Sequence, residues 1–372
     1  MTEKPLVAVA MSGGVDSSVA AALLVRQGYR VVGITLQIWQ ESQTDPRHAG
    51  CCSLGAVVDA RRVARVLGIP HYVLNFREKF AQTVIADFIT EYRRGRTPNP
   101  CVQCNRYVKF DAFLQKADEV GAQFIATGHY ARIQYDEKLG RWLLSKAVSR
   151  EKDQSYVLFP MTQVQLSRTL FPLGELPSKT ETRALARELG LPVADKPDSQ
   201  EICFVAEAGG YREFLRRRVP NTIQPGEIRD VHGRVLGTHP GIAFFTIGQR
   251  RGLGLSGHRE PLYVVDIDVA NNVVVVGAEQ YLYCRRFLVE GVNWIAVERL
   301  TKPLAVEARI RYNMPEAPAT IFPTEDESGV EVEFESPQRA ITPGQCAVFY
   351  RGDIVIGGGT ISRRLEGLAW KV

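Results

Sequence analysis

The run Ser12-Gly13-Gly14-Val15-Asp16-Ser17-Ser18 follows the apolar stretch Leu6 to Ala10 and opens a helical pattern that continues to Gln27. A strand that turns through two glycines into a helix constrains the fold more than any other segment of the chain. Glycines carry no Cβ, so backbone N–H groups can close on an anion; the hydroxyls of Ser12, Ser17 and Ser18 add donors, and the helix points its positive end at the same place. The loop therefore reads as a phosphate cradle. Its spacing lacks the lysine of G-x-x-x-x-G-K-[ST] and does not match G-x-G-x-x-G, so kinase-type and dinucleotide readings lose ground. Asp16 in such a loop would repel phosphate unless a cation stood between them, which leads to the expectation of Mg²⁺ between Asp16 and the phosphates. A plainer alternative stays open: a glycine turn ahead of a helix capped by Ser or Asp.

Apolar runs at Val31 to Leu36, His71 to Leu74 and Phe124 to Thr127 read as further strands, separated by helical patterns after Ser53, over Glu78 to Arg94 and over Val108 to Val120. Ser53 would cap the first of these helices, and Gly68 with Pro70 would end it. Strands alternating with helices predict an α/β fold with a doubly wound parallel sheet. Past Asp195 the texture changes to Gly- and Pro-rich segments such as His239-Pro240-Gly241 and Gly248 to Gly254, which predicts a small central domain. From about Cys284 short β-branched runs (Val306 to Ile310, Val330 to Phe334, Ala347 to Tyr350, Ile354 to Ile356) sit between turn residues and predict a C-terminal β-barrel. The expected domains are 1–205, 206–282 and 283–372.

A chain of 372 residues has room for more than one core, and 45% apolar with 23% charged residues is a globular balance. No apolar run reaches the ~18 residues of a membrane span, and Met1 to Val9 lacks the blocks of a signal peptide, so a cytoplasmic location with no membrane partner is expected. The net charge of +5 is sharpened at Arg93, Arg94 and Arg96 and at Arg216, Arg217 and Arg218. Such runs suit a polyanion such as nucleic acid, and equally a solvated helix face.

Seven cysteines without a dense pattern point to catalysis, metal binding or burial rather than secreted cross-links. Thr97-Pro98-Asn99-Pro100-Cys101-Val102-Gln103-Cys104-Asn105 reads as a proline-stiffened loop between two helices, with its C-x-x-C pair beside Arg93, Arg94, Arg96 and Arg106. Positive surroundings favour the reactive thiolate, so a nucleophile fits here. Cys203 follows Asp198-Ser199-Gln200-Glu201-Ile202 about a hundred positions later. Two thiols that meet can divide sulfur delivery, one as a persulfide and the other resolving the product as a disulfide; three could hold an iron-sulfur cluster with one iron open. A zinc knuckle lacks its second pair. Cys284 and Cys346 read as core residues, and Cys51 and Cys52 as positioning or packing residues.

The loop Ser12 to Ser18 resembles the pyrophosphatase loop of ATP-dependent adenylating enzymes. Together with Gly33 to Trp39, Cys51-Cys52-Ser53, Asn99 to Asn105, Ala126 to Tyr130, Lys152 to Tyr156, Asp198 to Phe204, Thr246 to Gly252, Arg311-Tyr312, Thr342 to Gln345 and Gly357 to Ile361, it resembles the bacterial tRNA-specific 2-thiouridylase family along the whole chain. The resemblance implies an adenine-nucleotide hydrolase-like first domain in which Ala10, Met11, Ser12, Gly13, Gly14, Val15, Asp16 and Ser17 bind ATP together with the backbone near Leu36 and Gly128. It implies Cys104 as nucleophile and Cys203 as persulfide carrier, able to pair as a disulfide, with Asp16 completing the catalytic set. Asn99, Pro100 and Cys101 would meet the target base; His129, Lys152, Asp153, Gln154, Arg311, Tyr312 and Gln345 would contact tRNA.

Many members of that family carry Asp where this chain has Cys101, so a [4Fe-4S] cluster on Cys101, Cys104 and Cys203 stands beside the persulfide route. The implied reaction adenylates O2 of the wobble uridine, position 34, of the tRNAs for Lys, Glu and Gln, and then replaces that oxygen with sulfur supplied by a sulfur-relay protein or cysteine desulfurase. The anticodon arm would be gripped with the base turned out of its stack. Two rival readings remain: an amide or amidine synthetase of the same ATP class, and an RNA-binding module with a decayed nucleotide site.

Overall fold

The computed structural model describes residues 4–39, 54–198, 202–220, 223–257, 260–326 and 328–366. Cys51, Cys52 and Ser53, the residue expected to cap the helix after it, lie outside them. The chain divides into two compact units: Met1–Ile85, Pro100–Gly210 and Asp353–Val355 form the first, and Ala86–Asn99, Tyr211–Gly352 and Ile356–Val372 the second.

In chain order the first half runs β1 (Leu6–Ala10), α1 (Val15–Arg26), β2 (Arg30–Gln37), α2 (Leu54–Leu67), β3 (His71–Asn75), α3 (Arg77–Phe80), α4 (Ala86–Arg93), α5 (Pro100–Cys104), α6 (Phe113–Glu119) and β4 (Phe124–Ala126). It continues with β5 (Ala131–Asp136), β6 (Arg141–Lys146), α7 (Ser155–Leu158), α8 (Gln163–Ser167), β7 (Thr169–Leu170), α9 (Lys179–Glu188) and α10 (Cys203–Glu207). In the first unit five strands join in the order β3-β2-β1-β4-β7, every pair parallel. This is the expected doubly wound sheet. The chain leaves β1 toward β2 on one side and β4 lies on the other, so the gap between β1 and β4 is the switch point where ligands bind in such sheets.

α1 is apolar almost all round, and Val19 to Leu24 are buried in one core with Val7, Val9, Val31 and Ala126. A helix buried on two faces needs that composition. Its alanines at 20, 21 and 22 let β1 and α9 approach closely, with Ala186 of α9 in the same cluster. The loop before α1 is thereby fixed to the most deeply packed helix of the unit.

Two helices are less regular than their periodicity predicts. The Glu78 to Arg94 pattern becomes α3, a wide π-type turn over Ala81–Ile85, and α4; the Val108 to Val120 pattern becomes a π-type stretch over Asn105–Ala112 followed by α6. Such insertions are common near functional sites. The C-x-x-C segment is not the loop expected from its prolines: it forms α5, with Pro100 as the first helical residue. Proline suits that position because its fixed φ is helical and its missing N–H would have had no partner there.

The second unit holds α4, α11 (Tyr211–Arg218) and two β assemblies. β8 (Gly226–Asp230), β9 (Val235–His239), β10 (Tyr263–Asp268) and β11 (Val273–Gly277) form a sheet in the order β10-β11-β8-β9, in the region read as a central domain. β12 (Tyr283–Trp294), β13 (Leu304–Arg309), β14 (Ala317–Pro323), β15 (Gly329–Arg339), β16 (Cys346–Arg351) and β17 (Ile354–Arg364) then run in the order β12-β15-β14-β13-β16-β17, and β12 pairs with β17 to close a six-stranded barrel. Closure removes the exposed edges an open sheet would leave. Cys284 and Cys346 are buried, as their apolar surroundings predict.

Candidate functional site: a phosphate loop and two cysteine-bearing helices

Val9 and Ala10 end β1 at the carboxyl edge of the sheet, and the Met11 N–H donates to the Ile34 carbonyl at 2.8 Å. The Thr35 hydroxyl then donates to the Met11 carbonyl at 2.8 Å, so β2 fixes where the loop begins and Leu36 lies just beyond on the same strand end. Gly13 takes φ of +66°, and a Cβ there would stand 2.2 Å from the Ala56 carbonyl oxygen of α2. Glycine is required by both conformation and space. Gly14 is the N-cap residue of α1, and no side chain caps that helix end. The capped-turn alternative is therefore not what forms: the cap residue is Gly14, and the Ser17 and Ser18 hydroxyls donate to its carbonyl at 3.2 and 2.8 Å.

Gly128, just past β4, closes the other wall. A Cβ on it would stand 2.6 Å from the Ser17 nitrogen and 2.7 Å from the Asp16 carbonyl carbon. The two loops at the switch point thus touch backbone to backbone.

Asp16 is not exposed to the cradle as a bare anion. Lys179 Nζ lies 2.7 Å from both Asp16 carboxylate oxygens, and the Tyr130 hydroxyl donates to one of them at 2.7 Å. Burial, then the Asp16 charge, pushes the Tyr130 hydroxyl above its ordinary pKa and keeps it a donor. Lys179 also pairs with Asp198 at 2.9 Å. The positive charge beside Asp16 is an ammonium of the chain itself. Sequence reasoning missed Lys179. A signal existed: it is the first residue of α9, where the helix dipole disfavours a cation. Lys196 was missed as well; its Nζ donates to the Gly13 carbonyl at 2.9 Å and pairs with Asp59 of α2 at 2.7 Å, which holds the loop from behind.

Cys101 is exposed, Cys104 buried and Cys203 half-buried, and no disulfide joins them among the described residues. Cys104 and Cys101 sit on α5, Cys203 at the start of α10. Phe204 packs on Trp39 and Phe80 with ring centroids 5.9 and 5.8 Å away, and Trp39 follows the end of β2. The turn Ala81–Ile85 that follows Phe80 packs against α5. Both cysteine-bearing helices are thus seated on one segment, Phe80 to Ile85, at the carboxyl side of the sheet. The Asn105 amide donates to the Val157 carbonyl at 2.9 Å and ties the end of α5 to α7. Of the arginines expected to surround the thiols, Arg94 and Arg96 pair with the buried Glu91 at 3.5 and 2.8 Å in the second unit.

His129 follows Gly128 and shares a 2.7 Å hydrogen bond between its Nδ1 and the Thr127 hydroxyl. Burial, with the Lys109 charge adding to it, pushes its pKa well below the ordinary histidine value, so it is a neutral imidazole at neutral pH. Gln154 accepts from Tyr130 N–H at 3.0 Å and returns its own N–H to the Tyr130 carbonyl at 2.9 Å, which fastens the Lys152 to Gln154 turn beside His129. Asp153 is only 5% exposed; its carboxylate accepts from Ala147 N–H, Ser155 N–H and the Ser155 hydroxyl. It shapes the turn from inside, while Lys152 reaches Asp198 at 3.8 Å.

In the second unit the Gln345 amide donates to the Thr97 and Pro98 carbonyls, at 2.9 and 3.2 Å, and the Thr97 N–H donates to the Pro343 carbonyl at 2.9 Å. Gln345 thus braces the approach to Asn99. Arg311 donates to the Thr342 hydroxyl at 2.6 Å and to the Ala340 carbonyl at 2.9 Å, and Tyr312 beside it is exposed. Among the described residues no three His, Cys, Asp or Glu side chains gather as a metal site, and no helix is long and apolar enough to cross a membrane.

A parallel sheet with a Gly/Ser loop at its switch point, lysines bonded to that loop, and two cysteine-bearing helices at the carboxyl side of the sheet give the arrangement of the nucleotide-binding class of α/β proteins. Residues 5–207 match the family described as the tRNA methyl transferase HUP domain, 212–278 its PRC-barrel domain and 284–361 the aminomethyltransferase beta-barrel domain. The chain is 55% identical over 364 residues to a tRNA-specific 2-thiouridylase MnmA of Heliobacterium modesticaldum, covering 98% of this chain and 94% of that protein. It is 55% identical over 365 residues to the protein of that name from Symbiobacterium thermophilum, covering 97% and 93%. A 2-thiouridylase of Caldanaerobacter subterraneus is 53% identical over 98% of this chain and all of its own. The chain belongs to the tRNA-specific 2-thiouridylase family.

Proposed function

We propose that this protein uses ATP to activate a uridine of tRNA and replaces the C2 oxygen with sulfur, and that the observation carrying this reading is the full-length likeness to 2-thiouridylases combined with a phosphate loop and two thiol-bearing helices in one unit. In the first step the N–H groups of Ser12 to Ser17 and the uncapped start of α1 hold the triphosphate, with the backbone near Leu36 and Gly128 forming the adenosine walls. AMP passes to O2 of the uridine and pyrophosphate leaves toward α1. The neutralisation first assigned to Mg²⁺ is supplied beside the loop by Lys179; with both carboxylate oxygens on that ammonium, Asp16 does not offer a metal ligand in this arrangement.

In the second step the terminal sulfur of a persulfide on Cys203 attacks C2, and AMP departs with the original oxygen. The Cys104 thiolate then attacks the Cys203 side of the sulfur-sulfur bond, so that the product keeps the terminal sulfur and a Cys104–Cys203 disulfide forms for later reduction. A cluster on Cys101, Cys104 and Cys203 is not favoured by the donor set, because these thiols do not gather as a metal site. Asn99 to Cys101 would face the base; His129, Lys152, Gln154, Arg311 and Tyr312 would meet the RNA, with Asp153 and Gln345 shaping the segments that do. A sulfur-relay protein or cysteine desulfurase would load Cys203. Cys104→Ser should keep tRNA binding and yield no 2-thiouridine by mass spectrometry of digested tRNA; full thiolation would remove Cys104 from the scheme. An active preparation made without oxygen should contain no stoichiometric iron.

A further inference from the structure

Asp198 is the meeting point of three cations from two different segments. Lys179 and Arg183 of α9 reach its Oδ1 at 2.9 and 3.1 Å, and Lys152 approaches Oδ2 at 3.8 Å. Lys179 is shared: the same ammonium holds both oxygens of Asp16 in the phosphate loop. Arg183 is held in turn by the Ala194 and Lys196 carbonyls, at 2.7 and 2.8 Å. Burial alone would raise the Asp198 carboxyl, but the hydrogen bond and charge of Lys179, with Lys152 and Arg183, hold it below the ordinary carboxylate value. Asp198 precedes Cys203 by five positions. One carboxylate, five positions before Cys203, is therefore joined to the phosphate loop through Lys179, and to the Lys152 turn.

We infer that Asp198 is a positioning residue for sulfur transfer: through Lys179 it registers the Cys203-bearing segment against the phosphate loop, so that the sulfur carrier is aligned with the activated base. This rests on the proposed roles of ATP and Cys203. The two anchors of Lys179 separate the two steps. Without the Asp198 charge, Lys179 keeps Asp16 and the triphosphate keeps its site, whereas position 198 loses its ionic tether to Lys179, Arg183 and Lys152. Charge on Asp198 is not needed to hold nucleotide, only to align the second reaction.

The test measures the steps apart in the full chain, following AMP transfer to tRNA with labelled ATP and 2-thiouridine by mass spectrometry. Asp198→Asn should keep the KM for ATP and the adenylation rate within about threefold of wild type, while thiolation falls about 100-fold, the loss produced by a misplacement of about an ångström. Asp198→Glu, which keeps the charge, should recover part of the thiolation rate. Alkylation of Cys203 by iodoacetamide should slow when ATP is added to wild type and become indifferent to ATP in Asp198→Asn. Equal loss in both steps, or undiminished thiolation, overturns the inference. If Asp198→Asn does not fold, thiolation by Asp198→Glu at wild-type alkylation behaviour supports it, and ATP-independent alkylation of Cys203 in wild type overturns it. Failure of wild type to adenylate tRNA at all would instead sink the underlying function.

Discussion

Individual residues carry the site through space and charge. Gly13 is the sharpest case, since a methyl group there meets the Ala56 carbonyl at 2.2 Å and the φ of +66° is unfavourable for any other side chain. Gly13→Ala should cost about 1–3 kcal/mol of stability and abolish measurable ATP binding; thermal unfolding and nucleotide titration check it. His129 gives a pH signature. Its folded pKa lies below the ordinary 6.5, so both states are neutral above that value and its contribution is complete. As pH falls below about 6.5 the unfolded chain takes up the proton first, and stability drains until pH passes under the folded value. His71 and His239, also lowered by burial, act in the same direction. The melting temperature should therefore drop on moving from about pH 7.5 to about pH 5.5, and drop less in His129→Gln.

Among elements, the short Lys152 to Gln154 turn is the most tightly specified. Asp153→Ala would strand the Ala147 and Ser155 donors that its carboxylate now accepts, at about 1–3 kcal/mol for each buried group left unpaired. Denaturant unfolding should show that loss, tRNA affinity should fall with it, and Asp153→Asn should recover part of both. Four strands of the sheet were legible because each is an apolar run bounded by turn residues, whereas the edge strand β7, only Thr169–Leu170, is too short to leave a pattern; the loop before α1 was legible because its Gly and Ser spacing reads as a phosphate cradle. α5 was read as a loop because prolines were weighed as breakers, whereas Pro100 at the first helical position starts a helix. The two π-type stretches share the periodicity of helices, so apolar spacing does not reveal them. Lys179 escaped notice because pairing with Asp16 spans 163 positions of sequence, and nothing local announces it beyond a lysine at the wrong helix end.

At the level of the whole molecule, the family profiles cut the chain into consecutive pieces while the packing does not. The first unit takes back Asp353–Val355, where Asp353 pairs with Arg132 at 2.9 Å and Arg150 at 2.6 Å. The second claims Ala86–Asn99, where Phe88 packs on Phe214 and Tyr92 stacks on Tyr211. A fragment ending at residue 207 should lose those ion pairs and uncover Phe88 and Tyr92, so it should bind a hydrophobic dye and unfold without a sharp transition. Circular dichroism and dye fluorescence decide this. Chimeras of related enzymes inherit the same constraint: a swap at the apparent junction would split each half from a strip of its own core, whereas grafts that carry residues 86–99 with the later segment, and 353–355 with the earlier one, would preserve both.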